Sequence, residues 1–413
     1  MKRRASAIAL AAVLGAVGVT SAGVASAVSQ SSDQTPVRIG VLEDMTGPLS
    51  SIGGPGNVVA AQMAVEDFGG KVLGRKIEIV SGDDQNKPDV GLGVVRRWFD
   101  VENVVMVTGL GNSGVALAIQ NLARERKRVD IVIGAAAQEL STKQCSPTGF
   151  QWNWDAHAVA STVVNGLMDA TQAKSWYFLT VDYAFGHSVE REATAIIKDR
   201  DGKVAGSARH PLGTADFASF MLQAQASKAD VVAFANVSAD LVNSVKASRE
   251  FGIVAGGQKL AAFILQQAEV SGLGLDVAKG LVTTSAFFYG MNDDTRAFGD
   301  RYASRFNGRL PGTNQAGVYS AVLHYLKAMQ AAGTDSGETV AIAMRRMPVT
   351  DFVNKEARIR ADGRLLRDLF LVEVKSPEES KFQGDFYKVL AKVGPEKAFA
   401  KISDECVIPK SAE

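Results

Sequence analysis

Two doubly wound parallel sheets, following one another in an α/β chain, are the fold the sequence predicts, and three observations predict it. Short β-branched runs alternate with helical periodicity at about 30 residues per unit, the pattern of a parallel sheet covered by helices on both faces. The rhythm pauses near Phe150-Gln151-Trp152-Asn153-Trp154 and then starts afresh. After Thr284 the chain turns helical with few strands, which fits a return to the first sheet better than a third domain.

The 413 residues open on Met1-Lys2-Arg3-Arg4 and an alanine-rich apolar stretch over 5–19, and Ala25-Ser26-Ala27 supplies a small-x-small cleavage site. That is the pattern of a secretory signal peptide, cut after Ala27. The apolar stretch is shorter than the roughly 20 residues a spanning helix needs. Without the leader's three basic residues, Lys and Arg fall from 45 to 42 against 44 Asp and Glu. So balanced a charge argues against nucleic acid as a partner, because neutralising phosphates needs a basic surface. Roughly 385 residues remain, enough for two domains with cores of their own. Two cysteines, Cys145 and Cys406, lie in the exported part. An oxidising compartment permits a disulfide between them, and two separately buried thiols are the alternative.

In chain order, residues 37–42 read as a first strand and are followed by a loop rich in Gly, Ser and Pro. A helix is expected over 57–68, with Val58, Ala61, Met63, Ala64 and Val65 on its apolar face. Residues 76–80 alternate as a strand, and Pro88 suits the first turn of the next helix. A strand over 104–108, a helix from Ser113 and a strand over 128–134 complete the first run. Residues 175–181, 229–235 and 280–284 are the strands of the second. Amphipathic helices follow over 295–306, 315–331 and 338–346, and residues 369–374 form a late strand.

The most informative stretch joins the strand over 104–108 to its helix through Gly109-Leu110-Gly111-Asn112-Ser113-Gly114. A helix start offers unpaired amides and the positive end of a dipole, which favour an anion. The same letters spell G-x-G-x-x-G, the dinucleotide fingerprint. That fingerprint belongs on the first strand of its unit, with an acidic residue ending the next strand. Here it follows the third strand, and Asp130 precedes its strand's end. An exported NAD-dependent dehydrogenase is therefore the remote alternative.

Several motifs resemble the periplasmic binding proteins for branched-chain amino acids and related ligands. They are Val37-Arg38-Ile39-Gly40-Val41, Thr46-Gly47-Pro48-Leu49, Ala60-Ala61-Gln62-Met63-Ala64-Val65-Glu66-Asp67, Thr180-Val181-Asp182-Tyr183-Ala184-Phe185-Gly186 and Gly317-Val318-Tyr319-Ser320-Ala321. The resemblance implies a type I fold of two doubly wound lobes joined by a three-strand hinge. Residues 36–154 with 285–358 would form lobe 1, and 155–284 with 359–413 lobe 2. It further implies a monomeric periplasmic receptor, without cofactor or metal, that closes on a small carboxylate-bearing ligand and presents it to an ABC transporter permease. A ligand sensor feeding a regulator is the nearer alternative.

Carried over residue by residue, the resemblance assigns the ligand's carboxylate to Asn112 and Ser113, whose other role would be helix capping. The next strand end reads Gly134-Ala135-Ala136-Ala137, so the family's threonine is replaced, and the amides of Ala135 and Ala136 remain as donors. Phe185, with Tyr183 beside it, is expected to pack over the ligand. Asn236 and Ser238 face the cleft by the strand-end rule. Amino-acid binders place an acid near the end of the strand over 259–264, where this chain offers Phe263. A buried ammonium without a partner costs several kcal/mol, so a carboxylate with an aromatic or keto body stands beside branched-chain and aromatic amino acids as a ligand. Phe287, Phe288 and Tyr289 could add aromatic walls, and Glu43, Asp44 and Asp182 could meet an ammonium. Enzyme readings lack support: the turn does not have the spacing of a nucleophile elbow. His157, His187, His210 and His324 are scattered, without metal-ligand spacing.

Overall fold

The computed structural model describes residues 35–408 together with Ala7 and Ala9. The signal peptide expected over residues 1–27 otherwise lies outside the described residues, so its cleavage after Ala27 does too.

The first sheet consists of β1 (Val37–Glu43), β2 (Lys71–Val72), β3 (Arg75–Asp83), β4 (Val104–Gly109), β5 (Val129–Val132) and β6 (Gly149–Gln151). Their order is β2-β3-β1-β4-β5-β6, parallel except for the short antiparallel pair β2 and β3. Helices α1 (Gly54–Phe68), α2 (Pro88–Asp100) and α3 (Ser113–Glu125) connect these strands. As β4 is buried at every residue, its β-branched run reads as a central strand.

The second sheet begins with β7 (Ser175–Val181), β8 (Lys203–His210), β9 (Val231–Ala235), β10 (Lys259–Ile264) and β11 (Val282–Ser285). They alternate with α4 (Ala156–Thr171), α5 (Ala184–Asp199), α6 (Ala218–Ser227), α7 (Ser238–Glu250), α8 (Gln267–Leu273) and α9 (Leu275–Ala278). The chain then returns through α10 (Asp293–Arg305), α11 (Thr313–Ala332) and α12 (Gly337–Arg346). Phe298, Val318, Tyr325 and Met344 from these helices share one core with Ile39, Met106 and Ile131 of the first sheet. After a small antiparallel pair, β12 (Arg358–Ile359) with β13 (Leu365–Leu366), the chain adds β14 (Leu369–Val374) and β15 (Tyr387–Val393) antiparallel to the second sheet. The order there is β15-β14-β11-β10-β9-β7-β8, and α13 (Pro395–Ala398) packs on α4.

Two edge strands, β8 and β15, were not expected from the sequence. β8 is polar and half exposed along its length, and β15, although it carries Val389-Leu390-Ala391, is exposed and interrupted by Lys388 and Lys392, so neither shows the buried β-branched run of the central strands.

The crossings between sheets are fastened together. Arg364 on the third crossing donates to the Gln151 carbonyl at 3.0 Å and pairs with Asp155 at 3.1 Å, both side chains fully buried. Asp155 also caps α4 through the Ala158 amide at 2.7 Å. The Thr284 hydroxyl on the second crossing donates to the Val159 carbonyl at 3.3 Å. Cys145 and Cys406 form a disulfide with Cα atoms 5.6 Å apart, closing a span of 261 residues. It ties the tail after α13 to the loop that precedes β6.

Candidate functional site

The carboxyl ends of both sheets face one another, and in open parallel sheets ligands sit beyond those ends. On the first edge, β4 ends in Gly109 (φ +92°) and Leu110 (φ +56°). The Leu110 amide donates to the Leu42 carbonyl at 2.9 Å, and the Ala135 amide donates to the Leu110 carbonyl at 3.1 Å, so the turns after β4 and β5 are bound to each other. Asn112 caps α3: its Oδ1 accepts from the amides of Gly114 at 2.9 Å and Val115 at 3.2 Å. Ser113 follows, with its side chain fully buried and its hydroxyl without any hydrogen-bond partner. A buried hydroxyl left unpaired costs about 1–3 kcal/mol, so this orphan marks a place where another acceptor belongs. Among the described residues the amides of Ser113 and Ala136 likewise have no acceptor.

The glycines of this turn have a local cause. A Cβ at Gly109 would lie 2.7 Å from Glu43 Oε1, and one at Gly111 would lie 2.8 Å from Glu43 Oε2. Glu43, at the end of β1, is 1 % exposed and accepts a hydrogen bond from Asn57 Nδ2 at 2.5 Å. Burial pushes its carboxyl up to about 8, with the neighbouring Asp84 charge adding to the rise while Asn57 and the Gly111 amide oppose it. The glycine spacing therefore makes room for a protein carboxyl and does not require a pyrophosphate. The dinucleotide reading loses its structural basis, since the turn follows β4 rather than the first strand of the sheet.

The second edge is finished differently. After β7, Tyr183 and Phe185 open α5, with ring centroids 6.0 Å apart. Phe185 belongs to an apolar cluster that includes Leu49, Ile52 and Ala136 from the first edge and Trp154 from the first crossing. Trp154 Nε1 donates to the Gly134 carbonyl at 3.3 Å and so closes the back of the cleft. Ser238, at φ +60°, gives its amide to Glu269 and its hydroxyl to the Pro48 carbonyl at 2.6 Å. Glu269 also accepts the Gln266 amide at 2.5 Å, and burial pushes it up to about 8 as well.

These edges touch in the structure. Ser51 and Ser238 hydroxyls lie 2.8 Å apart, the Gln138 amide donates to Ser188 Oγ at 2.9 Å, and Glu139 pairs with Arg191 at 3.2 Å. Asn314, at the start of α11, donates its amide to Gln266 Oε1 at 3.3 Å and its Nδ2 to the Ile52 carbonyl at 3.1 Å. Its own Oδ1 is buried without a partner.

The structure brings Ser113, Ala136, Tyr183, Phe185 and Ser238 to the facing edges, and it corrects several sequence expectations. Phe263 is fully buried inside β10 and stacks on Phe178 at 6.1 Å within the core of the second sheet. The strand runs on to Ile264, so the strand-end position falls on Gln266. The Ala135 amide is already bonded to Leu110, and Asn112 spends its carbonyl oxygen on the cap, so neither offers those groups to a ligand. Asn236 turns into the second sheet's own network, with Nδ2 3.0 Å from both His210 Nε2 and Ser244 Oγ. Phe287 packs edge-on against Phe298 and Phe352, Phe288 packs against Phe370 and Tyr387, and the Tyr289 hydroxyl reaches Asp300, so none forms an aromatic wall at the cleft. Asp182 pairs with His187 at 2.7 Å. Sequence reasoning gave no ligand-facing role to Trp154, Gln266 or Asn314, whose proximity comes from the crossings and from α11. No group of His, Cys, Asp and Glu among the described residues could hold a metal ion, and no helix there is long and apolar enough to cross a membrane.

Comparison with known proteins agrees with this architecture. Residues 36–381 match the family model described as periplasmic binding protein. A solved periplasmic binding protein from Burkholderia mallei is 40% identical, with a TM-score of 0.86 over 89% of this chain and 96% of that one. A branched chain amino acid ABC transporter periplasmic ligand-binding protein from Burkholderia xenovorans is 36% identical, with a TM-score of 0.79 over 88% of this chain and 97% of its own. The Leu/Ile/Val-binding protein homolog 4 of Brucella melitensis is 25% identical over 84% of this chain and 91% of that protein. With two doubly wound lobes, a three-strand hinge and a family match over most of its length, the chain belongs to the periplasmic binding proteins.

Proposed function

We propose that this chain is the extracytoplasmic solute-binding receptor of an ABC uptake system and that it captures a small carboxylate-bearing ligand between its two lobes without making or breaking a bond. In this reading lobe 1 comprises residues 36–154 and 285–358, and lobe 2 residues 155–284 and 359–413. The leader is removed near Ala27, and the closed monomer is handed to membrane permease subunits. The observation that carries the proposal is the buried, partnerless hydroxyl of Ser113 at the head of α3. With its own amide and that of Ala136, it makes a small cluster of donors suited to one carboxylate at a helix start.

The other end of the ligand is apolar. Phe185, Leu49 and Ile52 supply the surface, and the acids near the cleft are already engaged. Glu269 uses both oxygens on backbone amides, Asp44 accepts the Gly47 and Leu49 amides, and Asp182 holds His187. An α-ammonium would find none of these three acids free, which favours an aromatic or keto acid. The branched-chain amino acid reading draws its support from the name of the Brucella relative.

A thermal-shift screen of the mature chain with benzoate, phenylpyruvate, leucine, phenylalanine and NAD tests both levels. A ligand at about 100 times its dissociation constant adds about 2.7 kcal/mol. Stabilisation by the aromatic acids above leucine is expected. Stabilisation by NAD alone would refute the receptor reading, and leucine above benzoate would refute the ligand class.

A further inference from the structure

Two of the hydrogen-bonded contacts across the cleft lead back to one buried acid, Glu269. At the first, Ser238 gives its hydroxyl proton to the Pro48 carbonyl at 2.6 Å and, with that proton spent, accepts from the exposed Ser51 hydroxyl at 2.8 Å. At the second, Gln266 Oε1 accepts the Asn314 amide, at the start of α11, at 3.3 Å. Ser238 and Gln266 stand on the second edge, whereas Pro48 and Ser51 lie on the first and α11 shares its core with the first sheet.

Ser238 and Gln266 have the same anchor. Glu269 Oε2 accepts the Gln266 amide at 2.5 Å, as in any capping box at a helix start. A capping box needs only one carboxyl oxygen. The other, Oε1, takes the amide of Ser238, 31 residues earlier. Ser238 holds φ +60°, a left-handed backbone that is strained in a residue other than glycine and persists where its surroundings impose it. In that conformation its amide meets Glu269 while its hydroxyl meets Pro48. The close approach at Gln266 is built in as well, since a Cβ at Gly312 would lie 2.8 Å from Gln266 Oε1. Ser238, Gln266, Glu269 and Asn314 are all buried, so these bonds are made away from water, where leaving them unmade is costly.

We propose that Glu269 is a positioning residue for closure: its two oxygens fix Ser238 and Gln266 where they clasp the loop over 48–52 and the start of α11, so the chain itself favours the closed cleft before a solute arrives. This rests on the two-lobed receptor reading but on no ligand class. A closed state already populated without solute takes less of the solute's binding energy to reach, so the clasp raises affinity without touching the solute.

Hydrogen exchange resolved to single residues in the ligand-free mature chain tests it, and because no solute enters the measurement its outcome is separate from that of the thermal-shift screen. The amides of Gln138 and Asn314 lie on the first side of the cleft and their acceptors, Ser188 Oγ and Gln266 Oε1, on the second, so their exchange reports opening. In wild type both are expected to exchange slowly. Glu269→Gln turns a donor toward one of the two amides, and Ser238→Gly keeps the left-handed backbone but loses the hydroxyl. In each, exchange at Gln138 and Asn314 is expected to rise about three- to tenfold, the scale of one lost hydrogen bond, while Val107 in β4 exchanges as in wild type. Gln138 decides, because its acceptor lies on α5, apart from the clasp. Fast exchange at both amides in wild type would show the free cleft open and overturn the proposal. So would acceleration at Asn314 alone, the sign of local loosening at α8, or no acceleration in either variant. Should Glu269→Gln fail to fold, Ser238→Gly is read by the same amide: faster exchange at Gln138 supports the clasp, and unchanged exchange overturns it.

Discussion

The strand-to-helix turns at Ser113 and at Phe185 face one another across the cleft, built alike and finished differently. In the first, Asn112 caps α3 and takes the amides of Gly114 and Val115, while the hydroxyl of Ser113 is left open. In the second, no side chain caps α5, and the turn presents Tyr183 and Phe185. Behind each edge stands a buried acid raised to about 8, Glu43 on one side and Glu269 on the other. Glu269 binds the amides of Ser238 and Gln266, so those two donors of the second edge are spent internally. The difference teaches that a binding surface is defined by donors left unspent. Polar residues are present on both edges, and the open hydroxyl at a helix start, that of Ser113, lies on the first.

The largest effect should come from the paired acids. Each carboxyl rises from 4.5 to about 8 on folding, so the folded state holds its proton more tightly than the unfolded chain. That contribution to stability is complete below 4.5 and is lost as pH rises through about 8. Glu43→Gln and Glu269→Gln should therefore gain stability relative to wild type as pH climbs through this window in denaturant melts. Groups shifted the other way, such as Asp67 and Glu192, cancel in that difference. A difference that did not change with pH would show that folding does not raise these carboxyls.

Phe185→Ala comes next. Truncating a buried phenylalanine costs about 3–5 kcal/mol of stability, and ligand affinity should fall with it. A loss under about 1 kcal/mol in a thermal or urea melt would mean that the second edge does not pack as an apolar wall.

Ser113→Ala separates the edges most cleanly. It should weaken carboxylate binding by about 1.5–3 kcal/mol, the range for a hydrogen bond to a charged group. Stability without ligand should hold or rise, because the hydroxyl has no partner to lose and its unpaired burial is itself a cost. A destabilised free protein with normal affinity would reverse the roles assigned to this turn. Asn112→Ala should show the opposite signature at the smallest scale, about 1 kcal/mol of stability for a lost cap with little direct effect on affinity.

Much of the fold was legible because central parallel strands and their helices carry strong periodic signals. Residues 369–374, for example, were expected as a strand and coincide with β14. The edge strands β8 and β15 were not legible, because β8 alternates at the surface like ordinary exposed sequence and β15 is a short exposed run broken by two lysines. At the site, local chemistry was readable: Asn112 and Ser113 are a cap and a helix start in the letters alone. What could not be read was the partner of each group. Gly109 and Gly111 match a phosphate fingerprint because they clear space, but the group that fills it is Glu43, more than 60 residues earlier in the chain. Phe263 misled for a different reason. Successive residues of β10 point to opposite cores, Leu260 and Ala262 to one and Ala261 and Phe263 to the other. Three residues along the chain separate that core ring from Gln266 at the cleft.

The most direct test is a crystal structure of the mature chain with the carboxylate that stabilises it best. The account predicts a carboxylate oxygen about 2.7–3.2 Å from Ser113 Oγ and from the Ser113 or Ala136 amide, with the body of the ligand against Phe185. A carboxylate held by the second edge instead, with Ser113 still unpartnered, would contradict it.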